Sequence, residues 1–98
     1  MSYEQKLSRI QSYLESLFSE CSVHIEVEFE ESTFCFRVDD PDGRVKHLLA
    51  VSEGFLSDFT ADQIEKKLET WNVKRVMGVA GRRIVRVTKS ILTVAVRE

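Results

Sequence analysis

Tyr3, Leu7, Ile10, Leu14 and Leu17 recur at intervals of four, three, four and three residues, which lays one apolar stripe along a helix from about residue 3 to residue 19. Ser2, with Gln5 three positions later, fits a reciprocal capping box at its start. Two heptads are too few for a coiled coil, so the stripe predicts a helix that packs on a sheet. From Val23 the period drops to two. Val23, Ile25, Val27 and Phe29 alternate with His24, Glu26, Glu28 and Glu30, as in a strand with one face on a core and the other in water. Phe34, Phe36 and Val38 repeat the alternation, Pro41, Asp42 and Gly43 supply a turn, and Val45 to Val51 reads as a third strand.

These strands predict a meander. With turns centred on Glu31/Ser32 and Pro41/Asp42, Glu26 faces Arg37, Phe29 faces Phe34, Val38 faces Val45 and Arg37 faces Lys46. Thr60 and Gln63 form a second capping box, with Phe59 and Ile64 as a hydrophobic staple, so helix two starts at about Ala61. Ile64, Leu68 and Trp71 share one helical face, whereas Val73, Val76, Met77 and Ala80 fall on roughly the opposite one. The helix therefore either breaks at Asn72 or is buried on a second side, and either version ends near Gly81. Residues 83 to 96 return to β periodicity around a turn at Lys89 and Ser90. The expected fold is a single α+β domain over residues 1–98, in α-β-β-β-α-β-β order, with helices packed on one face of a mainly antiparallel sheet in two layers.

Charge changes this picture more than composition does. Through Trp71 there are seven Lys/Arg against fifteen Asp/Glu, and from Asn72 onward seven against Glu98 alone. Such a split either neutralises itself between neighbouring strands or makes a basic face for an anionic partner. Cys21 and Cys35 are too few for a disulfide framework and are expected to be reduced. The first ten residues resemble an amphipathic helix rather than a secretory signal, and no apolar run is long enough to span a bilayer. A cytoplasmic, non-membrane protein is expected.

The stretch from Val76 to Val87 carries the most suggestive chemistry. Gly78 and Gly81 share the spacing of the G-x-x-G loop of KH nucleic-acid domains, but a strand follows them here rather than a helix. Phosphate loops open helices, whose N-terminal N–H groups attract anions, whereas these glycines close one. Arg82 and Arg83 then serve either to complement the last helix carbonyls or to join Lys74, Arg75, Arg86 and Lys89 in a cluster that binds an anionic partner.

Catalysis finds little support. Cys35 and His47 fall on opposite sheet faces, Cys21, His24, Cys35 and His47 lack zinc-ligand spacing, and Asp39/Asp40 and Glu30/Glu31 sit at turns. His47 reads as a hydrogen-bonded core histidine. No enzyme, cofactor or metal is expected.

In element order, the opening α-β-β-β-α resembles double-stranded-RNA-binding domains, and the whole chain resembles small acidic secretion chaperones, which are dimers. The first lacks its Lys-Lys-x-Ala-Lys signature here, since Leu68, Glu69 and Thr70 follow Lys66 and Lys67; the second lacks its final helix. These are likenesses of topology, and no family is assigned. The expected function is a non-catalytic interaction module, protein-binding, adaptor or chaperone-like, as a homodimer that uses either the C-terminal strands or the apolar face of Val73, Val76 and Met77, unless the chain's own C-terminal hairpin covers that face. The alternative is nucleic-acid binding through the basic segment 74–89.

Overall fold

Because side chains alternate along a strand, the pairing register assigns every residue to one of two sheet faces. The computed structural model describes residues 3–30, 33–88 and 92–94. Strands β1 (Ser22–Glu30), β2 (Thr33–Asp39) and β3 (Val45–Ser52) form an antiparallel meander. Strand β4 (Ile84–Val87) joins β3 in parallel, and β5 (Leu92–Val94) pairs antiparallel with β4. The result is one five-stranded mixed sheet in the order β1-β2-β3-β4-β5. The chain is an α+β protein, and the last two strands extend the first sheet.

One transverse row runs Ile25, Phe36, Leu49, Val85, and another runs Phe34, Val51, Val87, Leu92. These rows meet helices α1 (Glu4–Leu17), α2 (Glu53–Asp58), α3 (Ala61–Thr70) and α4 (Val73–Ala80). Phe36, Leu49, Phe55, Leu56, Ile64 and Leu68 all lie at 0% exposure in that layer. Each large side chain so buried stabilises the fold by roughly 1.5–3 kcal/mol, which outweighs any exposed ion pair. The other face carries the rows His24, Arg37, Leu48, Ile84 and Glu26, Cys35, Ala50, Arg86.

Two bulges correct the expected register. Between Glu26 and Glu30 the pairing slips by two residues, so Cys35, and not Arg37, stands opposite Glu26. A second irregularity, a one-residue bulge at Lys46 between the Val38–His47 and Asp39–Val45 pairs, leaves Val38 opposite His47, two positions from the expected Val45. A slip of two preserves the face of every side chain, which is why the expected core survives it. Arg37 still reaches Glu26 diagonally, at 2.7 Å, and also contacts Asp39. The turn at Glu31/Ser32, the turn at Lys89/Ser90 and the capping residue Ser2 lie outside the described residues; Tyr3 occupies the N-cap of α1 without a side-chain cap.

The helical layer adds one element that the sequence pattern does not predict, and it selects one of the two versions expected for helix two. Residues 53–58 form α2, capped by Ser52, whose hydroxyl accepts from the Phe55 N–H. A six-residue helix offers too little periodicity to register as one in the sequence. Helix two does break at Asn72, which adopts the left-handed conformation at φ 52°. The Thr60–Gln63 capping box forms in both directions at the start of α3. Among the described residues no helix is long and apolar enough to cross a membrane.

Candidate functional site

The break at Asn72 re-phases the chain, and this determines which side chains remain outside. With α4 turned relative to α3, Val73 and Met77 lie at 0% exposure and Ala80 at 5%, packed in the chain's own core. The interface expected at Val73, Val76 and Met77 is thereby reduced to half-buried Val76. Its neighbour one turn on, Val79, is 73% exposed, the large apolar side chain most open to solvent among the described residues.

Val76 and Val79 line an open groove of about 440 Å³ at the α3–α4 elbow, together with Trp71, Arg75 and Arg83. Trp71 also lines a second hollow of about 220 Å³ beside Phe59, Lys66 and Lys67. The Lys67 ammonium sits 4.9 Å from the Phe59 ring and 5.4 Å from the Trp71 ring, and the Phe55 ring lies 6.0 Å from the indole. Among the described residues, no carboxylate lines either hollow. In a chain with sixteen acidic side chains, a surface bordered by four cations and no anions is a local inversion of charge.

The basic segment divides. Arg75 and Arg83 border the groove, and Lys74 is exposed on the same helix. Arg82 instead lines a hollow with Asp40, Arg44, Lys46 and His47. Arg86 is half-buried on the sheet face opposite the helices, and Lys89 lies outside the described residues. The six side chains named from the sequence are thus not one cluster. Arg83 does complement the end of α4: its Nε donates to the Ala80 carbonyl at 3.1 Å and its Nη2 to that of Val79 at 3.3 Å.

Sequence reasoning passed over Trp71 and Val79 as surface groups. The chain has a single tryptophan, at the position where two apolar faces change over, and that coincidence was the available signal.

Cys35 is buried on one sheet face and His47 on the other, which keeps a thiol–imidazole pair apart. Cys21 is half-buried, and His24 Nε2 lies 3.5 Å from Asp39. Among the described residues, no three His, Cys, Asp or Glu side chains gather closely enough to hold a metal ion. Burial, then a hydrogen bond from its hydroxyl to Glu53, raises Tyr3; hydrogen bonds to Glu65 and Asp62 raise Arg9. No known family, curated protein or solved structure matches the chain.

Proposed function

We propose that this chain is a small non-catalytic interaction module that holds a partner protein in the groove at the α3–α4 elbow. The observation that carries this reading is Val79, 73% exposed beside half-buried Trp71 and Val76, between two guanidinium groups. An aliphatic side chain so open to water gains from being covered, at roughly 25 cal/mol per Å². Aromatic and arginine anchors around an apolar centre are also the composition of binding hot spots. The free thiols of Cys21 and Cys35 support a cytoplasmic address. Self-association finds support on the sheet face opposite the helices, where Leu48 and Ile84 are half-buried.

The test is affinity capture with wild type and Val79→Glu side by side, bound proteins being identified by mass spectrometry, together with an amide-resolved NMR titration against a nucleic-acid duplex at low and moderate salt. A partner protein held by wild type and lost by Val79→Glu supports the reading. Equal capture by both variants, with salt-sensitive duplex shifts confined to residues 74–89, replaces it with nucleic-acid binding.

A further inference from the structure

We propose that the groove receives an acidic amphipathic segment of the partner protein, with an apolar anchor seated among Trp71, Val76 and Val79 and its carboxylates on Arg75 and Arg83. This rests on the interaction-module reading and adds the chemistry of the occupant.

Charge complementarity carries the argument. Arg75 and Arg83 border the apolar floor, and Lys66 and Lys67 continue the cationic rim past Trp71. Among the described residues the Arg75 guanidinium makes no hydrogen bond or ion pair, so its fork is open to a bidentate carboxylate. Arg83 is held in place by donating through Nε and Nη2 to the Ala80 and Val79 carbonyls, which leaves Nη1 for a ligand. The same two bonds offset the negative potential that the C-terminal carbonyls of α4 would exert on an incoming anion.

The floor requires an apolar side chain as well as charge. Val76 and Val79 are aliphatic and offer no surface on which a nucleobase stacks. The indole of Trp71 already has the Lys67 ammonium 5.4 Å from its centre and Phe55 at 6.0 Å. Stacking platforms for single-stranded nucleic acid need open aromatic faces along a continuous cationic track. Here Arg82 and Arg86 are turned to other surfaces, so no such track forms among the described residues. Carboxylates flanking an apolar anchor satisfy both features of the groove, in the manner of a helix laid into a hydrophobic cleft.

The experiment uses the chain's only tryptophan as its reporter. The probe is a synthetic helix of about four turns, with Leu and Phe at i, i+3, i+4 and i+7 and Glu elsewhere. It is compared with the same peptide carrying Lys for Glu, with polyglutamate, and with a single-stranded oligonucleotide. The expected result is a blue shift of Trp71 emission and amide shifts around Arg75, Val76, Val79 and Arg83 with the acidic peptide. The Lys peptide and polyglutamate should leave these signals unmoved. Val79→Glu and Arg75→Glu, both at exposed positions, should weaken binding by about tenfold or more while far-UV circular dichroism is unchanged.

Equal binding of the acidic and Lys peptides would overturn the acidic partner and leave the groove as an apolar protein site. Groove shifts from the oligonucleotide and none from the acidic peptide would overturn this inference and the proposed function together. Silence toward every probe at about 1 mM, the weak end of specific binding, would overturn the inference. Groove shifts on concentrating the protein alone would overturn it in favour of a second copy of this chain.

Discussion

His47 Nδ1 lies 3.0 Å from the carbonyl oxygen of Gly81, joining the start of β3 to the end of α4 across 34 positions of sequence. A carbonyl can only accept, so Nδ1 carries the proton and donates. The ring is 5% exposed and packs 5.0 Å from Phe18. His47→Leu keeps an apolar body there but strands the Gly81 carbonyl. A loss of about 1–3 kcal/mol is expected from urea unfolding, and an unchanged midpoint would show that water replaces the bond without cost.

The two glycines of the Gly78–Gly81 pair should respond with opposite signs. Gly78 lies inside α4 with nothing within 4 Å of an added Cβ, so Gly78→Ala should raise stability by about 0.5–1 kcal/mol. Gly81 has equal space but sits at φ 64° and ψ −123°, where a side chain is strained. Gly81→Ala should therefore cost about 1–3 kcal/mol. Thermal melts of the two variants, measured together, would contradict this account if they moved in the same direction.

Asn72 is the non-glycine residue with positive φ among the described residues. Asparagine tolerates that conformation, glycine adopts it freely, and a β-branched side chain resists it. Asn72→Gly should leave the melting temperature near that of wild type. Asn72→Val should lower stability by about 1–2 kcal/mol and re-expose the Val73 and Met77 face, which added ANS fluorescence would detect. If the valine variant melts like wild type without binding ANS, the break at Asn72 does not control that face.

Tyr13 links α1 to the acidic edge of α3. Burial raises its pKa above the ordinary 10.0, and the charges of Glu69 and then Glu65 raise it further. A folded-state pKa above the unfolded one means that this stabilisation is fully present below pH 10.0 and is lost as pH rises through the folded value. Ultraviolet titration should show both Tyr3 and Tyr13 ionising above the ordinary 10.0, and Glu65→Gln with Glu69→Gln should bring Tyr13 part of the way down. If the double variant titrates like wild type, the carboxylates contribute nothing and burial accounts for the whole shift.

The period-two runs in β1 to β3 and the Thr60–Gln63 box were legible because each is local: alternation and capping depend on residues within a few positions of one another. The core faces were legible for the same reason, and they survived because the observed pairing differs from the expected one by two residues at both Glu26 and Val38, which keeps each side chain on its face. Helix α2 was not legible, since its six residues form against Phe55 and Leu56 in the core and not on a periodic stripe of their own.

The candidate site divides along the same line. By itself, the sequence determined that the net positive charge lies after Trp71 and that a helix ends at Gly81, leaving Arg82 and Arg83 between the last carbonyls and an anion-binding cluster. Tertiary structure alone decided that Val73 and Met77 turn inward while Val79 turns out, and that Arg82 and Arg86 leave the groove to Arg75 and Arg83. The reason is geometric: one left-handed residue at Asn72 rotates every later side chain about the helix axis, and the inward direction is set by a sheet whose partner strands lie far away in sequence.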